Sequence, residues 1–262
     1  MIKIGNDDIV DIKIGANQVN EIYLGNALVF ENYVEPVEPI YELYMWLDGT
    51  DAPVSSKWVD KTGGLEWAIS KATHGSDYYE FLNSTTSTAS QFVYYTGGGA
   101  VIDLGKHWKV VADVAIASDT QNGYILDMCS YVTTTNGYNG LGFIFHKTYG
   151  ANSNVKIDGN TTTTQNTASG VTVSLPNTWN RMTLTWECAP ARTRGYSVIS
   201  SYMDGTLCRY TNKFADIDWK NFRASNSPFQ TLYIGRGFLN TSSNHAPLRF
   251  RLYDLKMYKR TN

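Results

Sequence analysis

The chain has 262 residues and a formal net charge of −2, and charged residues make up 18% of it, against about 25% in an average soluble protein. It carries no cluster of Lys and Arg resembling a nucleic-acid footprint, no run of about 18 apolar residues able to span a membrane, and no long apolar segment after Met1 of the kind a signal peptide needs. The expectation is a soluble product made in the cytoplasm outside the ordinary secretory route, with no nucleic-acid partner and no membrane insertion. Its abundance of Thr, Ser, Asn, Gly and Tyr suits β-structure with long polar loops.

Three copies of one ten-residue unit open the chain: Ile2-Lys3-Ile4-Gly5 through Asp11, Ile12-Lys13-Ile14-Gly15 through Glu21, and Ile22-Tyr23-Leu24-Gly25 through Glu31. Gly5, Gly15 and Gly25 share a column, as do Ile9, Val19 and Val29, and the acids Asp11, Glu21 and Glu31. A unit this short fits one strand plus one turn, with glycine supplying the backbone angle, and the series reads as a small β-meander. Val10, Ile12 and Ile14 fall on one face, and Ile22 shares a face with Leu24, so the meander has one apolar side. About thirty residues cannot build a core that offsets their ordering entropy. Residues 1–31 are therefore expected to be an attachment module, buried against another copy of the chain, a neighbouring protein or the rest of the same chain. Val34-Glu35-Pro36-Val37-Glu38-Pro39 disfavours helix and makes 32–40 a stiff extended linker.

From Tyr41 onward strand signals alternate with polar turns, and one large domain over 41–262 is the simplest division. In Trp108 to Ile116 the even positions are apolar, with Lys109 and Asp113 opposite; in Met182 to Cys188 the apolar set is Met182, Leu184, Trp186 and Cys188, with Thr183, Thr185 and Glu187 outward. Both read as half-buried strands of a sandwich. Leu141 to Phe145 is apolar on both faces and is placed centrally or under a loop. The last strand, Leu248 to Tyr258, changes phase, which predicts a bulge near Leu252 and Tyr253. Ser84 to Ser90, Thr133 to Gly140, Tyr149 to Gly159 and Thr161 to Gly170 read as loops.

Cys129, Cys188 and Cys208 are an odd number, and the two nearest in sequence are placed about six residues apart along paired strands, roughly 20 Å, beyond disulfide reach. Three free thiols are expected. His74, His107, His146 and His245 are scattered and make no zinc spacing with the cysteines.

Trp179-Asn180-Arg181-Met182-Thr183-Leu184-Thr185-Trp186 followed by Tyr202-Met203-Asp204-Gly205-Thr206-Leu207, then Leu232-Tyr233-Ile234-Gly235-Arg236 and Arg251-Leu252-Tyr253-Asp254-Leu255-Lys256-Met257-Tyr258, resembles the laminin-G-like, concanavalin A-like family in order and spacing. The resemblance implies an all-β, two-sheet antiparallel jelly-roll sandwich over 41–262. The N-terminal repeats, and Trp46-Leu47-Asp48-Gly49-Thr50-Asp51 reaching Gly64, are similar to pieces of bacteriophage tail and virion-associated proteins. That implies an anchor, a linker and a lectin-like head in a phage or prophage particle, with other virion proteins or further copies of the chain as partners of the module.

The leading expectation is a non-enzymatic protein whose head binds a cell-surface or gut glycan. Aromatic rings offer a flat apolar face to sugar C–H groups, and amide or hydroxyl groups set specificity. Tyr131, Asn136, Tyr138, Asn139, His146, Tyr149 and Asn152, in the two loops flanking Leu141 to Phe145, are the candidate ligand-binding residues. The alternatives are a purely structural decorating domain and a glycoside hydrolase or lyase. The Glu-x-Asp-x-x-Glu pattern of related hydrolases is missing, although acids distant in sequence can converge. The resemblance also allows a structural calcium ion, with Asp119, Asp127 and Asp204 as conceivable ligands; no metal residue and no other cofactor is assigned.

Overall fold

Side chains that alternate between buried and solvent-facing positions lay most of the described residues out as antiparallel strands. The computed structural model describes residues 38–63, 65–82, 91–95, 102–117, 123–132, 137–146, 148–157, 160–161, 165–167, 179–192, 194–211, 213–220, 222, 231–236 and 248–262, together with the strands of the first 31 residues; of those first strands, and of 129–132, 137–139, 154, 156–157, 160–161, 165–167 and 231, only the backbone is described. The chain divides into two units, Met1–Pro39 and Ile40–Asn262.

The first unit contains β1 (Lys3–Ile4), β2 (Asp7–Asp8), β3 (Ile12–Ile14), β4 (Asn17–Val19), β5 (Glu21–Leu24) and β6 (Ala27–Glu31). They pair β1 with β2, β3 with β4 and β5 with β6, all antiparallel. Each decapeptide thus supplies a hairpin of two short strands rather than the single strand its period suggested. Gly5, Gly15 and Gly25 fall between paired strands and lie outside the described residues.

The second unit follows with β7 (Tyr41–Asp48), β8 (Lys57–Val59), β9 (Glu66–Ser70), β10 (Thr73–His74), β11 (Tyr79–Leu82), β12 (Phe92–Tyr95), β13 (Trp108–Ile116), β14 (Gly123–Val132), β15 (Gly137–His146), β16 (Gly150–Ile157), β17 (Asn160–Thr161), β18 (Gln165–Thr167), β19 (Arg181–Pro190), β20 (Tyr196–Met203), β21 (Thr206–Thr211), β22 (Phe214–Ala215), β23 (Thr231–Ile234) and β24 (Arg249–Arg260). One sheet runs β10-β11-β24-β13-β19-β20-β21-β18, with β7 also on β24 and β22 on β20; the other runs β17-β16-β15-β14-β23-β12-β9-β8. Among the described residues there is no helix, and the two sheets form an antiparallel sandwich of the jelly-roll type.

The core lies between the sheets. Trp108, Val110, Ala112 and Val114 of β13 and Met182, Leu184, Trp186 and Cys188 of β19 are buried, as their alternation predicts. They meet Phe143 of the facing sheet, whose ring stands edge-on to Trp108 at 5.4 Å and to Trp186 at 5.3 Å. The Trp186 indole N–H crosses the interface to donate to the Asn152 carbonyl at 2.6 Å. Leu141 to Phe145 is buried on both faces within β15, which has a paired strand on each side.

The predicted bulge sits at Tyr253. Asp254 faces Asp113 but Leu252 faces Val114, so Tyr253 is the extra residue, and the buried set passes from Phe250 and Leu252 to Leu255 and Met257. On the other edge of β24 two strands share the ladder, β11 along 249–252 and β7 along 254–260. The turn Asp204-Gly205 joins β20 to β21 with φ of 47° and 77°, the positive pair of a tight hairpin.

Cys188 pairs in register with Ile199, and Cys208 lies level with Ser201 and Tyr202. The offset along the strands is therefore two to three residues, shorter than the six read from sequence, because the β19–β20 pairing runs on past Cys188 to Pro190 and places Ile199 in mid-strand. The two thiols remain two strands apart, about 10 Å, and both are free and buried. At the other end of the sheet Ile40 is tied to the chain terminus, its N–H donating to Asn262 Oδ1 at 2.8 Å and its carbonyl accepting from Thr261 N at 3.0 Å.

Candidate functional site

The seven residues selected from sequence do not form one site. Tyr131 lies in β14 and faces Tyr138 of β15, and Asn139 faces Ser130. Asn136 lies outside the described residues. His146 closes β15, Tyr149 stands in the turn that follows, and Asn152 lies in β16 opposite Ile144. Tyr138 and His146 are eight residues apart on one strand, about 27 Å, so the candidates form two groups at opposite ends of β15. Within the predicted loops 133–140, 149–159 and 161–170, residues 137–140, 150–157, 161 and 165–167 are strand, while 133–136 and the predicted loop 84–90 lie outside the described residues. The Gly, Asn and Ser content of these strands imitates a loop, yet Ala151, Ser153 and Val155 are buried in the alternation of a half-covered strand, and that period was present in the sequence.

The group at the β15–β16 turn is built in detail. Tyr149 N donates to the His146 carbonyl at 3.1 Å, and Thr148 N donates to His146 Nδ1 at 3.2 Å. Gly150 then takes a φ of 72°, which turns the chain back into β16. The turn brings the His146 and Tyr149 rings to 4.4 Å between centroids with a 30° tilt. The Arg209 guanidinium packs on Tyr149 with its carbon 3.6 Å from the ring centroid, a separation at which cation and ring attract. Asn152 follows in β16, between the buried Ala151 and Ser153, with its Oδ1 accepting from Ser153 N at 2.9 Å.

Sequence reasoning missed Arg209. It sits in β21 in register with Ser201 of β20, and the β20–β21 ladder shifts between Ser201 and Tyr202, which leaves Cys208 as the extra residue. Register partners leave a sheet on the same side, so Arg209 shares the inward side with Ser201, which is 1% exposed. Burial also raises the Cys208 thiol beside them, against hydrogen bonds from backbone groups at Ala151 and Met203. Arg209 Nε and Ser201 Oγ are both buried and have no hydrogen-bond partner among the described residues. No local motif marks the bulge that turns Arg209 inward.

Two other polar clusters bear on chemistry. His107 Nε2 lies 3.2 Å from Ser197 Oγ and 3.8 Å from Asp216, and the Ser197 hydroxyl donates to Asp216 Oδ1. The serine stands between the histidine and the acid, 1% exposed, and its proton is committed to the carboxylate. On the solvent side of the larger sheet Asp48, Asp254 and Asp113 form one row across β7, β24 and β13. Lys61 pairs with Asp48, Trp46 Nε1 donates to Asp254 at 2.7 Å, and Arg181 holds Asp113 at 2.6 Å.

The calcium candidates do not assemble. Asp127 is buried in β14, Asp204 accepts from Thr183 N at 2.8 Å beside the β20–β21 turn of the other sheet, and Asp119 lies outside the described residues. Among the described residues no three His, Cys, Asp or Glu side chains come together as a ligand set.

No known family profile matches the chain, and no curated protein matches it significantly. Solved structures resemble it at low identity. A mutant Trypanosoma rangeli sialidase displaying trans-sialidase activity is 13% identical with a TM-score of 0.45, over 84% of this chain and 31% of that one. The binding domain of botulinum neurotoxin DC, solved with SialylT, is 10% identical with a TM-score of 0.47, over 84% and 48%. The Emp46p carbohydrate recognition domain in its metal-free form is 12% identical with a TM-score of 0.41, over 83% and 99%. The chain thus spans about a third of the length of the sialidase it resembles.

Proposed function

We propose that residues 40–262 are a non-catalytic, lectin-like domain that binds a glycan at the β15–β16 end of the sandwich, and that the chain is a phage or prophage virion component mounted through its N-terminal repeats. One observation carries the binding reading: at the β15–β16 turn the His146 and Tyr149 rings pack together, and the Arg209 guanidinium of the other sheet packs on Tyr149. Tyr149 is engaged by His146 and Arg209 and acts as their buttress. The outward polar groups beside it suit sugar hydroxyls, which both donate and accept. The virion assignment rests on the resemblance of the repeats.

Binding of the intact protein to a glycan array, lost in Tyr149→Ala and Asn152→Ala and retained in Tyr138→Ala, is the expected result. An array with no signal, or one in which Tyr138→Ala alone removes the signal, overturns the placement.

A glycoside hydrolase is the second reading, favoured by one feature. Asp113 and Asp254 are cross-strand neighbours on one face, and such positions hold side chains about 5 Å apart, the separation used by retaining enzymes. Both carboxylates are held by basic or N–H partners, which suits a structural ladder better than a proton donor. Release of reducing sugar that vanishes in Asp113→Asn would reverse the order of the two readings.

A further inference from the structure

Four cations that the sequence scatters between positions 106 and 213 meet at one end of the larger sheet. β13 runs beside β19 with Trp108 facing Cys188, and the Cys188 thiol donates to the Lys106 carbonyl at 3.4 Å, so Lys106 stands at the end where β19 turns into β20. That turn is closed by Ala191 N donating to the Tyr196 carbonyl at 2.8 Å, and it carries Arg192 and Arg194. On the far side of β20, Ala215 of β22 faces Tyr196, and the Lys213 ammonium lies 5.4 Å from the centre of the Tyr196 ring. β13, β19, β20 and β22 are successive neighbours, so the four side chains spring from backbone spread over about 15 Å. All four residues are exposed, and none has a carboxylate partner among the described residues. The acids close by are engaged: Asp216 by Ser197 and His107, Asp218 by Lys220, and Glu187 by the Tyr41 hydroxyl. Uncompensated charge of one sign, gathered in one place, attracts an anion.

We propose that this corner docks an anionic polysaccharide, whose acid groups meet Lys106, Arg192, Arg194 and Lys213 while a sugar ring packs against Tyr196. An acidic polysaccharide repeats its charge along the chain, so one strand can engage several of the four cations at once. Tyr196 is 39% exposed, and an open aromatic ring suits sugar C–H groups. The affinity of a nucleic acid grows with each phosphate neutralised, and four cations neutralise few. The corner is separate from the β15–β16 turn: Ser201, level with Arg209, stands five residues from Tyr196 along β20, about 17 Å. That the partner is a sugar rests on the glycan-binding reading above; that it is anionic rests on this corner alone.

The test uses the full chain and three probes: polygalacturonate, its neutral methyl ester and a DNA duplex. Titration calorimetry is expected to show the acid form binding at least about tenfold more tightly than the ester, with the difference shrinking as salt rises from about 50 to about 200 mM. The triple variant Arg192→Ser, Arg194→Ser, Lys213→Ser should bind acid and ester alike. Its circular dichroism and melting temperature should match the wild type, because all three side chains stand in solvent. Tyr196→Ala should weaken polygalacturonate binding and leave its salt dependence unchanged. Equal binding of acid and ester by the wild type, or an acid preference that survives in the triple variant, overturns the corner while leaving glycan binding intact. DNA bound more tightly than polygalacturonate, and released by the triple variant, makes the corner a nucleic-acid patch and overturns the sugar. If none of the three probes binds, the proposal fails, and the glycan array decides the reading above separately.

Discussion

Gly49 donates its backbone N–H to the carbonyl oxygen of Tyr253 at 2.6 Å, where β7 leaves β24 and β11 takes over the same edge. A Cβ on Gly49 would lie 2.5 Å from that oxygen and 2.6 Å from the Asp77 carbonyl. Both obstacles are backbone, so neither yields by changing rotamer. Gly49→Ala is expected to cost about 1–3 kcal/mol, read as a lower urea midpoint with an unchanged slope. An unaltered midpoint would mean that the β7–β11 junction opens freely.

Asp60 is the hub of the chain reversal after β8. It is 2% exposed and accepts from Trp46 N at 2.7 Å, Thr62 N at 3.1 Å, Gly63 N at 2.8 Å and the Thr62 hydroxyl at 2.9 Å. Asp60→Ala strands three backbone donors and should cost about 3 kcal/mol, a fall in melting temperature of about 6–12 °C for a domain of this size. Asp60→Asn, which keeps an acceptor oxygen, should lose about half as much.

Burial holds the pKa of His107 below the usual histidine value, against the pull of Asp216. The unfolded chain therefore takes up a proton at a higher pH than the folded one does. Stability from this group is complete above about pH 6.5, the unfolded value, and is lost as the pH falls toward the depressed folded value. His107→Asn should flatten the decline between neutral pH and about pH 5 measured by urea denaturation. Asp216→Asn, which removes the opposing carboxylate, should move the histidine ring titration seen by NMR to still lower pH. A shift to higher pH would contradict the burial account.

Cys188 is fully buried, and burial pushes its thiol far above the ordinary cysteine range. Reaction with iodoacetamide needs both access and thiolate. Peptide mass mapping is expected to find Cys188 unmodified in the native protein and modified in urea, with Cys208 behaving alike. Rapid native labelling would show that the β19–β20 region opens locally.

Period-two strands were legible wherever one face is polar and the other apolar, as in β13 and β19, and the phase change at Tyr253 announced its own bulge. The start of β15 and the whole of β16 escaped because strand pairing on both edges satisfies their backbones whatever the side chains, so Gly140, Asn152 and Asn154 can occupy ladder positions that composition assigns to loops. The inward turn of Arg209 depends on the extra residue Cys208, a property of the β20–β21 pairing and not of either strand alone. For the same reason the decapeptides concealed their hairpins: the repeat fixes a period, whereas which residues pair within it is decided across the turn.

The tie between Ile40 and Asn262 gives the domain a mechanical polarity. Tyr41 begins β7 beside that tie, and seven register pairs from Tyr41 with Arg260 to Asp48 with Asp254 join β7 to the last strand. A pull on Ile40 along the strand, resisted near the Asp204-Gly205 turn, loads these backbone bonds together in shear because they lie across the line of force. The Tyr41 hydroxyl on Glu187 adds a side-chain clasp to the same end. A domain held by such a strand resists being dragged lengthwise far better than being peeled from the edge.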